Sequence, residues 1–181
     1  MRERPDDKRV TKTIRNIHAT FEQMMCEMDY RQITVKELCE RALVNKKTFY
    51  RYYETMDFLL AEFQEKMMGD YLACVEGLRI PEDLEAITRA FFAFAQERGD
   101  VFERITCASQ HDALQRQMTD NVMALHDGET PEDPERSVLM AFVTESTLTI
   151  YRQWVKDGKV IPPARIADLA VELVCHGALK R

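Results

Sequence analysis

Glycine and proline are scarce, with six of each in 181 residues. That scarcity speaks against disorder and an all-β sandwich, and it suits helical globular structure. No run approaches the roughly 18 apolar residues that a membrane span requires. The opening Met1-Arg2-Glu3-Arg4-Pro5 lacks the apolar stretch of a secretory signal, so the expectation is a cytoplasmic chain with no membrane partner. The five cysteines, Cys26, Cys39, Cys74, Cys107 and Cys175, are odd in number, scattered and never spaced C-x-x-C. They read as buried or half-buried thiols in a reducing compartment, and nothing in their spacing supports a redox sensor. A glycine-rich phosphate loop and a nucleophile motif are both missing. His111-Asp112 and His126-Asp127 lack the i,i+4 histidine pairing and the recurring acids of a metal or catalytic site. No metal, cofactor or enzyme activity is expected.

Charged residues make up 31% and hydrophobic ones 45% of the chain, enough for a sizeable core. The net charge of −6 is unpromising for a nucleic-acid binder until its distribution is considered. From Lys8 to Tyr53 ten Lys and Arg stand against five acids, about +5, which leaves about −11 for the rest. A basic head on an acidic body can grip a phosphate backbone and still stay soluble.

Apolar residues recur at helical spacing through most of the chain. Ile14, Ile17, Phe21, Met24 and Met28 predict a helix from Lys8 to Met28. In Thr34-Val35-Lys36-Glu37 the pattern is a capping box: the Thr34 hydroxyl takes a free backbone N–H and Glu37 reaches back to the cap. A short helix with Val35, Leu38 and Ala42 inward follows and ends near Val44. Asn45 then caps a second short helix over Lys46 to Tyr52. Thr55 opens a long helix running to about Leu78 that joins head to body. Further helices are expected from Leu84 to Gly99, over one or two segments from Val101 to His126, from Glu135 to Lys156, and from Pro163 onward. The clearest loop spans His126 to Pro134.

In the last helix Arg165, Asp168, Glu172 and His176 form one narrow polar stripe among apolar residues. A helix wet along a single stripe is buried on two sides, and a second copy of the chain is the economical cover for one of them. The second short helix is the chemically distinctive segment. Lys46, Lys47, Thr48, Tyr50, Arg51 and Tyr52 share its outer faces, while Phe49 and Tyr53 sit four apart on an apolar one. Such a helix suits a major groove, its first residues reading base edges and its hydroxyls and cations holding phosphates.

The run Asn45-Lys46-Lys47-Thr48-Phe49-Tyr50-Arg51-Tyr52-Tyr53-Glu54-Thr55-Met56-Asp57, followed by Leu59, resembles the signature of the tetracycline-repressor (TetR) family, and the resemblance covers about residues 8 to 60. It implies an all-α protein: a three-helix DNA-binding domain with a helix-turn-helix over residues 8–55, and a helical dimerisation and ligand domain over residues 56–181. It also implies phosphate or backbone contacts from Thr34, Thr48, Tyr50 and Tyr52, with Lys36, Asn45, Lys46 and Lys47 at base or groove positions. Two departures stand out. Met56 occupies the position where the family usually carries a phosphate-binding lysine, and Tyr52 replaces the commoner histidine.

The stretch Tyr151 to Gly158, Pro162-Pro163 and the last helix is similar to the ending of a branch often seen in Firmicutes, in which the last two helices form a four-helix dimer bundle. On that similarity Phe142, Ile150, Trp154, Ile166, Leu169, Leu173 and Gly177 are the expected dimer interface. Phe91, Phe94 and Phe102 are the candidate ligand pocket, although aromatics at this spacing also serve simply as core. The functional expectation is a sequence-specific transcriptional regulator. It would be a homodimer on a near-palindromic stretch of double-stranded DNA, repressing and relieved by a small-molecule effector. Activation by recruiting a partner is the variant within that class. The alternative from another class is a small helical ligand-binding protein or enzyme without DNA binding.

Overall fold

A computed structural model describes residues 5–107 and 134–177. The sequence-based helices over 108–126, the loop from His126, and both His-Asp pairs lie outside those residues. The described chain is all-helical. The helices are α1 (Pro5–Glu27), α2 (Val35–Arg41), α3 (Lys46–Tyr52), α4 (Met56–Cys74), α5 (Leu84–Cys107), α6 (Pro134–Lys156) and α7 (Pro163–His176), with a 3-10 turn at Tyr30–Gln32. No described helix is long and apolar enough to cross a membrane. The chain separates into two compact units, Met1–Lys66 and Met67–Arg181, and the division falls within α4.

The first unit is built around Phe21 and Phe49, both fully buried, with Ile17, Met24, Met25, Leu38, Leu59 and Phe63. Phe21 meets Phe63 edge to face at 5.7 Å, so α1 and α4 lock through an aromatic contact. Local chemistry sets the short helices. The Thr34 hydroxyl accepts from Glu37 N at 3.2 Å, and Asn45 Oδ1 accepts from Lys47 N at 2.8 Å. Each covers an amide that a helix start leaves bare. The α4 start is held likewise, Phe58 N donating to the Thr55 hydroxyl.

Only half of the Thr34–Glu37 capping box forms. The Glu37 carboxylate is taken by Arg41 at 2.7 Å, one turn on, and Arg41 also pairs with Glu27 of α1. A guanidinium within reach is a stronger partner for a carboxylate than a backbone amide, and the choice ties α2 to α1.

In the second unit Val75, Ile80, Leu84, Ile87, Met140, Val143 and Val174 form one core cluster. Beside it Phe91, Phe92, Phe94, Phe102, Tyr151 and Trp154 make a chain of tilted and edge-to-face rings with centroids 5.4–6.3 Å apart. The break expected near Gly99 is present: α5 is interrupted there at φ 55, ψ −132, a conformation that glycine tolerates without the Cβ clash of other residues. It separates Phe91 and Phe94 on one limb from Phe102 on the other. The α4 helix stops at Cys74, before the expected Leu78, and the chain turns through Gly77.

Candidate nucleic-acid interface and body pocket

Each of the nine head residues marked out by sequence lies in or beside the α2–turn–α3 pair. Lys36, Asn45, Lys46, Lys47, Tyr50 and Arg51 are exposed, as is Thr34, while Thr48 and Tyr52 are half-buried. Tyr50 is 55% exposed, its ring edge-on to Phe49 at 5.5 Å. Phe49 and Tyr53 face the interior at 0% and 5% exposure. Thus α3 has a sharply divided surface, two aromatics inward and cations with a tyrosine outward. Among the described residues Lys36, Lys46, Lys47 and Arg51 form no ion pair, so their charge is available to an external anion. Arg41, neutralised by Glu27 and Glu37, is not.

The inner end of α3 is held by a cluster that sequence reasoning missed. His18 Nε2 on α1 lies 2.8 Å from the Tyr53 hydroxyl and 3.6 Å from Glu62 Oε2 on α4. Burial, reinforced by the nearby Glu62 carboxylate, raises the Tyr53 phenol well above its ordinary pKa. It therefore stays a hydroxyl, able to bridge three helices. A second tie joins the Tyr30 hydroxyl to Asp57 at the start of α4. No spacing rule links positions 18, 53 and 62, although a tyrosine placed at the end of an apolar face is a signal that its hydroxyl needs a partner.

The turn between α2 and α3 places Leu43 at φ 54 with 91% of its surface exposed. A left-handed leucine is strained, and among the described residues nothing covers it.

In the second unit Phe91, Phe94 and Phe102 do come together. They line one apolar pocket with about 760 Å³ of empty space, its mouth included. Its described wall also includes Met67 and Met68 of α4, two of the ten methionines that sequence offers as pocket lining beside the aromatics, and Tyr71 of α4 with Val143, Thr144 and Thr147 of α6, which sequence reasoning did not name.

The seven residues expected at a dimer interface divide. Phe142 is 53% exposed and Gly177 is exposed, whereas Ile150, Leu169 and Leu173 are half-buried. Trp154 and Ile166 are 6% and 3% exposed inside their own chain, and Trp154 Nε1 donates to Ile161 O at 2.7 Å. Those two have little surface left for a partner, because the inward side of α6 and α7 already uses them. The polar stripe of α7 is partly satisfied at home: Asp168 pairs with Arg89 of α5 at 2.7 Å, and Arg165 with Glu172 at 2.9 Å. Compared with family models and with curated proteins, the chain matches none.

Proposed function

We propose that this chain is a sequence-specific DNA-binding transcriptional regulator of the TetR type. It acts in the cytoplasm as a homodimer that sets two α3 helices into successive major grooves. The observation that carries this reading is the outer face of α3, where Lys46, Lys47, Tyr50 and Arg51 stand exposed on a capped helix fixed from behind by Phe49 and Tyr53. Exposed cations supply phosphate binding, and the hydroxyl and amide groups of Tyr50 and Asn45 supply polar discrimination.

The dimer part of the reading is supported by Phe142, Leu169 and Leu173, which keep apolar surface on the two C-terminal helices. Repression is the mode the family resemblance favours. Relief by an effector held in the body pocket follows if the ligand favours a head separation that no longer fits both half-sites.

Selection of bound fragments from a random duplex pool tests the proposal. The expected product is a near-palindrome whose half-sites lie about one helical turn apart, roughly 34–36 Å. Recovery of no enriched sequence, or of single unpaired sites by a monomer, contradicts it.

A further inference from the structure

The strained turn of the head points to a contact that its cations do not make. The α2 helix closes in a Schellman arrangement: Leu43 N donates to Glu40 O at 3.3 Å and Val44 N to Cys39 O at 2.9 Å. Such a closure needs one residue in the left-handed region just past the helix, a place that glycine fills without a Cβ clash. Here that residue is Leu43, at φ 54. A bulky side chain is strained there, and an outlier of this kind points to a use for the side chain itself.

That use is not packing within the head. Ala42 is buried and Val44 half-buried, whereas Leu43 between them is 91% exposed. Leu43 and the exposed Asn45 thus flank an inward-turned Val44, with Cα atoms at most about 7 Å apart. Lys46 and Lys47 follow at once. An apolar side chain is thereby set beside the capped start of α3, the end that meets base edges in the proposed docking.

A leucine side chain cannot hydrogen-bond, so it cannot read the donors and acceptors of base edges. The major groove offers it an apolar feature instead, the 5-methyl group of thymine. We infer that Leu43 is a specificity-determining residue of the head, which packs on a thymine methyl in each half-site beside the groups that Asn45, Lys46 and Lys47 meet. This inference rests on the reading of α3 as the DNA-binding helix and adds a named base to it.

The test uses the full chain and the duplex recovered by selection, with each thymine replaced in turn by uracil, which pairs alike and lacks only the methyl. For wild type, one replacement in each half-site should weaken binding by about fourfold, the worth of one buried methyl group. Leu43→Gly should weaken binding to the thymine duplex by a similar factor and lose nothing further on the uracil duplex, since both changes remove one contact. Leu43→Asn also tolerates the left-handed region. It should behave like the glycine variant, which separates loss of apolar surface from a looser turn. Uracil tolerated at every position, both Leu43 variants binding like wild type, or uracil sensitivity undiminished in the two variants overturns the inference. A selected half-site without an A·T pair does the same. In each of these cases wild type still binds its duplex, and the head reading stands. A wild type that binds no duplex overturns the head reading, and this inference with it.

Discussion

The two units handle aromatic side chains in opposite ways. In the head, Phe21, Phe49 and Phe63 close the centre, and the chemistry is left outside on α3. In the body, Phe91, Phe94 and Phe102 border a space instead of filling it, and the chemistry of interest faces inward. A solid core holds the outer face of α3 rigid, as the proposed match to a stiff duplex requires. A core with a pocket gives up packing contacts and gains a place for a small molecule. The same helix, α4, contributes Leu59, Glu62 and Phe63 to the first unit and Met67, Met68 and Tyr71 to the second.

The largest expected effect attacks the solid core. Phe49→Ala removes a fully buried ring and should cost roughly 3–5 kcal/mol. Denaturant unfolding should show the head melting early while the body transition stays in place. A single, unshifted transition would mean the two units are not distinct.

Next comes the outer surface. Replacing Lys46, Lys47 and Tyr50 together by alanine should weaken operator binding by on the order of 100-fold, with circular dichroism unchanged, because no described core contact is lost apart from the Tyr50 ring edge on Phe49.

A smaller effect is expected in the body. Phe142→Glu combined with Leu173→Glu places charge on the surface proposed for a second copy, and light scattering at micromolar concentration should move from the proposed dimer toward monomer. Trp154→Phe, which alters a side chain already enclosed by its own chain, should leave the dimer intact.

The smallest concerns the turn of the head. Leu43→Gly relieves a left-handed leucine, a strain of roughly 1–2 kcal/mol, against a larger unfolded-state entropy for glycine, so a net gain of about 0.5–1 kcal/mol is expected as a raised Tm. A lowered Tm would show that the exposed leucine makes a contact elsewhere.

The head was more legible in the sequence than the body. Thr34 and Asn45 each precede a short helix and do cap it, and Lys46–Tyr52 appears with the expected limits, because caps act through the neighbouring backbone and leave a local trace. Glu37 went elsewhere because Arg41 is four residues along the same helix, and periodicity does not rank two partners within reach.

In the body, helical spacing identifies which residues face inward. It does not say whether an inward face meets its own chain, a second copy or an empty space. Phe91, Phe94 and Phe102 were therefore recognisable as inward, whereas Tyr71 and the α6 threonines of the pocket were not. Trp154 and Ile166 were inward too, and their own chain takes them up. Likewise His18 lies on α1, Tyr53 just past the end of α3 and Glu62 on α4, and only tertiary packing brings them together.

The central claim is that α3 presents its cations to phosphates, and the salt dependence of binding tests it most directly. Fluorescence anisotropy with the selected duplex, repeated over a range of salt concentrations, should give a linear fall of log affinity with log salt. The slope should be about −0.9 for each phosphate neutralised. For Lys46→Ala with Lys47→Ala the slope should be shallower by up to about 2, roughly one per lysine that grips a phosphate. A slope near zero, or one identical in wild type and the double variant with affinity unchanged, would contradict the assignment of α3 as the DNA-binding helix.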